Sequence, residues 1–156
     1  MRVADENFSS FLKLSTALTG YNAMELRSTG VANDVLSALT KVLPEVAGEL
    51  LSAAKPLSGS ATLSPKDRAV MDEILDDPKL GDVARSLNLL WYTGRWTALP
   101  DAWRAAYGTS PADVSGVISG PLYQAGLQWV VAGAHPPGGL PQGFGAWSLP
   151  PQGISR

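Results

Sequence analysis

The chain has 156 residues, with 12 basic against 14 acidic side chains, a formal net charge of −2 and no cysteine. That length suits one domain with a real core, and 45% apolar against 17% charged residues excludes general disorder. Basic residues occur singly, without the clustered footprint of a nucleic-acid binder, and the missing cysteine excludes disulfides, thiolate catalysis and thiolate-held zinc or iron–sulfur centres within this chain.

No uninterrupted apolar run reaches the ~20 residues that cross a bilayer, so no direct membrane span is expected. Met1 leads straight into Arg2-Val3-Ala4-Asp5-Glu6-Asn7, without an apolar stretch of signal-peptide type.

Phe8, Phe11, Leu12 and Leu18 fall at near-helical spacing behind an expected N-cap at Asp5, and Gly20 reads as the stop. Val35, Leu39, Val42, Val46 and Leu50 carry a second apolar stripe. Pro44 interrupts it, which predicts a kink or two short helices. Residues 55–60 are loop by composition. Ser64-Pro65-Lys66-Asp67 opens a third helix: Ser64 can accept a backbone N–H, Pro65 has none to lose in the first turn, and Asp67 suits the positive helix end. Asp77-Pro78 repeats that start signal. The helix behind it aligns Leu80, Val83, Ala84, Leu87, Leu90 and Trp91 and is expected to end near Gly94. A last helix is expected from about Gly120 to Ala132, with Ile118, Leu122, Ala125 and Trp129 as its stripe. His135-Pro136-Pro137-Gly138 and the Pro150-Pro151 pair exclude helix or central strand beyond it. No internal repeat or heptad run is present.

Between Val114 and Ser155 there is no Asp, Glu, Lys or Arg, although Tyr123, Trp129, Phe144 and Trp147 lie there. A segment over 133–156 that packs back on its own helices is one reading. The sharper one places it on another protein, because aromatic enrichment and loss of charge mark interface cores. Proline also lowers the entropy lost when an extended segment docks. A linker is the weakest reading, since flexible linkers do not carry Phe144 and Trp147. Trp96 and Trp103 lie outside the helical stripes, so they either cap the core or face a partner.

Catalytic inventory is thin. His135, flanked by prolines, is the one histidine and reads as a structural hydrogen-bonder ahead of a catalyst. Asp72-Glu73 and Asp76-Asp77 suit capping and solvation, because adjacent helical residues do not share a face. No Gly-rich loop follows a strand and no serine stands in a nucleophile elbow, so nucleotide and triad sites are unsupported.

Three segments then carry a resemblance. Phe11-Leu12-Lys13-Leu14-Ser15-Thr16-Ala17-Leu18-Thr19-Gly20 follows the pattern F-x-x-L-S-x-x-L-T-G; Leu90-Trp91-Tyr92-Thr93-Gly94 contains W-Y-T-G; and Tyr123-Gln124-Ala125-Gly126-Leu127-Gln128-Trp129 precedes His135-Pro136-Pro137-Gly138. In order and spacing these resemble the small subunit of bacterial membrane-bound FAD-dependent sorbitol, fructose and glucose dehydrogenases, from about Phe8 to Pro151. The resemblance implies a periplasmic complex with a flavoprotein large subunit of the glucose–methanol–choline oxidoreductase type, often accompanied by a multihaem cytochrome c. The small subunit would hold no redox centre and would serve maturation and twin-arginine export of its partner. The family's twin-arginine signal is not seen ahead of Phe8, which reads as a mature or trimmed form.

The expectation is therefore a mostly α chain: a compact bundle of five or six short helices over 1–132 and an extended Pro/Gly/aromatic-rich C-terminal arm over 133–156. It would be an accessory subunit without a cofactor of its own, FAD lying in the partner, and not an enzyme. Its partner-binding residues would be Trp96, Trp103, Tyr123, Trp129, His135, Pro136, Pro137, Phe144, Trp147 and Pro150. The rival readings are a self-contained helical enzyme or ligand-binding protein using His135, and a transient export chaperone.

Overall fold

The computed structural model describes residues 2–134 and 136, with side chains from Asp5 onward. Helix α1 runs over Arg2–Thr19, three residues ahead of the expected cap, so Asp5 sits in its first turn, where it complements the helix dipole. Gly20, at φ +78°, ends it. Helix α2, Ala23–Ser28, was not expected from the apolar pattern. Asn22 Oδ1 accepts from the N–H of Met24 and Glu25 while Glu25 accepts the N–H of Asn22, a reciprocal cap that supports six residues with one buried side chain, Leu26.

The second stripe divides at Pro44 into α3, Ala32–Val42, and α4, Pro44–Ala53. Proline lacks the N–H that would continue α3 but fits the first turn of α4. Helix α5, Pro65–Asp76, starts as its sequence predicts, with Ser64 and Asp67 capping each other. Asp77 then takes the N–H groups of Lys79 and Leu80 on its carboxylate and opens α6, Leu80–Thr93.

Helix α6 is the axis of the fold. It touches α1, α3, α4 and α5, and its Val83, Ala84, Leu87, Leu90 and Trp91 are all buried. Gly94 closes it at φ +66°. A two-residue strand β1, Arg95–Trp96, pairs antiparallel with β2, Gly116–Val117, matching Arg95 to Val117 and Trp96 to Gly116. Between them lies α7, Asp101–Tyr107, a helix the apolar stripes did not predict. The expected helix over 120–132 is broken into α8, Gly120–Gln124, and α9, Leu127–Val131. Both, like β1, rest on α6. The fold is mostly helical, and among the described residues no helix is long and apolar enough to cross a membrane.

Candidate functional site

The first two segments that carry the resemblance and the 123–129 part of the third meet at the C-terminal end of α6. From α1, Phe11 stacks on Trp91 with ring centroids 5.9 Å apart and planes 21° from parallel. The Trp91 indole N–H donates to Ser15 Oγ at 2.9 Å in a fully buried contact. One turn on, the Tyr92 hydroxyl donates to the Thr19 carbonyl at 3.0 Å, while Thr19 Oγ1 donates to the Ser15 carbonyl and accepts the N–H of Tyr21. Serine and threonine at these positions therefore satisfy polar groups that burial would otherwise leave costly.

The third segment packs against the same end. A Cβ on Gly94 would lie 2.5 Å from the backbone of Leu122 and Tyr123, and one on Gly126 would lie 2.7 Å from the Tyr92 carbonyl oxygen. Both glycines permit a backbone approach that no other residue allows. The close fit of Gly126 also accounts for the break between α8 and α9, since the chain must turn there to keep Leu122 and Leu127 both buried. Trp129 donates its indole N–H to the Tyr123 carbonyl at 2.9 Å and meets the Tyr123 ring edge-on at 5.5 Å.

The sequence-selected residues divide into three groups. Trp96 and Trp103 are core, not partner-facing. Trp96 is 1% exposed and donates to Asp113 Oδ1 at 2.7 Å; Trp103 is 4% exposed and donates to the Lys79 carbonyl at 2.8 Å. A ring enclosed in this way has no face left for a second protein. Pro136 is likewise buried within its own chain. Tyr123 and Trp129 are half-buried at the α8–α9 corner. His135, Pro137, Phe144, Trp147 and Pro150 lie outside the described residues, as does most of the expected arm over 133–156.

Asp113 was not singled out by the sequence. Its buried carboxylate accepts from Trp96, from the backbone N–H of Leu99, and from Arg104 Nε at 3.0 Å, and so closes the 97–115 excursion onto the core. A lone aspartate in a loop carries no local signal of this role, because its partners come from three separate positions. A second buried carboxylate, Asp67, is held well below the usual carboxylate range, first by the Ser64 hydroxyl and then by the backbone N–H and hydroxyl of Ser58. Burial pushes the Tyr92 phenol up, with Tyr21 adding to it.

Several aliphatic side chains of the charge-free stretch are exposed. Of the eight large hydrophobic residues left exposed among the described residues, Val114, Val117, Ile118, Val130 and Val131 belong to the charge-free stretch. Val130 and Val131 are 68% and 66% exposed. Ile118 was expected in a buried helical stripe, but it precedes α8 and points outward. Chemically, this arrangement offers apolar contact with backbone groups at its margin. Among the described residues no three His, Cys, Asp or Glu side chains are grouped to hold a metal ion. No family model, curated protein or solved structure matches the chain.

Proposed function

We propose that the chain is a non-catalytic small subunit that binds, stabilises and helps export the FAD-containing catalytic subunit of a periplasmic sugar or alcohol dehydrogenase. The observation that carries this reading is the interlock at the end of α6. The three resembling segments are distant in sequence, yet each touches another: indole to serine hydroxyl, tyrosine phenol to the backbone carbonyl of residue 19, glycine to backbone. Residues that cooperate in one packing unit make a resemblance carried by all three more specific than three separate short matches.

The exposed valines of the charge-free stretch support the partner side of the proposal. A docked flavoprotein would cover these apolar side chains, and loss of charge is a mark of interface cores. FAD, the substrate pocket and any multihaem cytochrome c would then belong to other chains of the complex. The test is co-expression with the flavoprotein, followed by size-exclusion chromatography at the flavin absorbance. Co-elution with the yellow peak, and loss of soluble flavoprotein when this chain is omitted, are the expected results. A colourless chain eluting alone beside a flavoprotein that folds without it would reject the reading.

A further inference from the structure

The pairing of β1 with β2 leaves one backbone edge unused. The Ile118 N–H donates to the Gly94 carbonyl at 3.2 Å, and Trp96 stands opposite Gly116, so the N–H groups of Gly116 and Ile118 point toward β1. Alternation along the strand then turns the N–H and C=O of Val117, and of Ser115 before it, away from β1. None of these outward backbone groups makes a hydrogen bond among the described residues. Ser119 continues the edge in extended backbone, at φ −160° and ψ 161°, and its N–H is unpaired there too. Val117 is 50% exposed, and the edge from Val114 to Ser119 carries no charge and no proline, the residues that usually keep strand edges from pairing.

Two side-chain features say what this edge would accept. On its solvent face, Val117 stands opposite Arg95, whose guanidinium makes no hydrogen bond or ion pair among the described residues. The nearest carboxylates along the chain, Asp101 and Asp113, both pair with Arg104 instead. On the opposite face Gly116 adds no side chain, and the same alternation flanks it with the exposed Val114 and Ile118. An added antiparallel strand in register with Val117 would set one residue on the Arg95 face and its two neighbours among Val114 and Ile118. Backbone pairing demands an extended polypeptide, the unpaired guanidinium an acidic residue, and the aliphatic flank apolar residues on either side of it.

We propose that the outer edge of β2 is a strand-addition site for an extended segment of another polypeptide, one with an acidic residue between two apolar ones. The inference does not rest on the subunit reading, and its test needs no flavoprotein.

The full chain, isotope-labelled, is titrated by NMR with an acetylated, amidated pentapeptide of threonine, valine, glutamate, valine and threonine. Parallel titrations use the same peptide with lysine in place of glutamate, and with the glutamate N–H methylated. The parent peptide is expected to move the amides of Val117 and Ser119 first. Methylation removes the N–H that would meet the Val117 carbonyl and is expected to weaken binding about tenfold. Lysine is expected to weaken it about threefold, the scale of an exposed ion pair. Arg95→Gln, a change at an exposed side chain, is expected to erase the preference for glutamate over lysine. Equal binding of the methylated peptide, no penalty for lysine, a preference retained in Arg95→Gln, shifts confined to other elements, or no binding would each overturn the proposal. A concentration-dependent dimer that moves the same amides without peptide would also overturn it, by giving the edge to a second copy of the chain.

Discussion

Ser15 and Trp91 lie 76 positions apart, yet the serine hydroxyl accepts the indole N–H at 2.9 Å where neither side chain meets solvent. The bond ties α1 to the axial helix at the point where the rings of Phe11 and Trp91 stack. It lets a large, partly polar ring sit in the core without an unpaired donor.

Ser15→Ala should cost about 1–3 kcal/mol, because it strands the buried N–H while removing little volume. Trp91→Phe should cost more, through lost contact and the cavity it leaves. In the double variant the penalties should not add, since the stranded donor is gone; urea denaturation of all four proteins measures that coupling. Additive penalties would mean that the hydrogen bond contributes little.

Gly94→Ala should destabilise by about 2–4 kcal/mol, combining a left-handed backbone with a clash against the backbone of α8. Gly20 shares the positive φ but has open space around the position of a Cβ. Gly20→Ala should therefore cost only about 1 kcal/mol. Equal penalties in thermal melts would show that α8 moves aside freely.

Asp113→Ala should cost about 1–3 kcal/mol, the range for leaving buried donors without their acceptor, since Asp113 is buried but Arg104 is partly exposed. It leaves the Trp96 indole and the Leu99 N–H without their acceptor and takes away the Arg104 Nε partner, although Arg104 keeps Asp101 and the backbone carbonyl of residue 113. Hydrogen exchange should report the loss first in residues 97–117, while the amides of α5 stay protected.

The Asp67 carboxylate has a lower pKa folded than unfolded, so its contribution is fully present above the unfolded value of about 3.9 and is lost as pH falls below it. Urea midpoints measured from pH 6 to pH 3 should fall more for the parent than for Asp67→Asn. Tyr92 works in the other direction. Its raised pKa favours the folded state below the unfolded phenol range and weakens that preference as pH rises through the folded value. Tyr92→Phe should flatten the alkaline limb and cost about 1 kcal/mol at neutral pH for the bond to Thr19.

Val130→Asp combined with Val131→Asp places two charges on exposed positions of α9. Such surface changes should shift stability by no more than about 0.5 kcal/mol each. Co-purification with the proposed flavoprotein partner should nevertheless be lost. Retained co-elution would move the contact away from α9.

Some of this structure was legible locally. The Ser64–Asp67 cap, the division at Pro44 and the stop at Gly94 each depend on one residue and its near neighbours, and each stands where its chemistry put it. The cap of α2 was legible too, in Asn22 and Glu25, but a six-residue helix shows too little apolar periodicity to draw attention to it. Trp96 and Trp103 were ambiguous for a physical reason. A tryptophan outside a helical stripe has the same sequence signature whether it fills a core or an interface.

Residue chemistry by itself determined the mostly helical class, most of the helix ends and the charge-free stretch from Val114, because capping, proline geometry and composition act within a few residues. Only the tertiary structure decided that Asp113 gathers Trp96, Leu99 and Arg104, that Gly126 must admit the Tyr92 carbonyl, and that Val130 and Val131 are exposed while Trp96 and Trp103 are buried. Those outcomes depend on which distant surfaces exclude water together, and no local pattern records that.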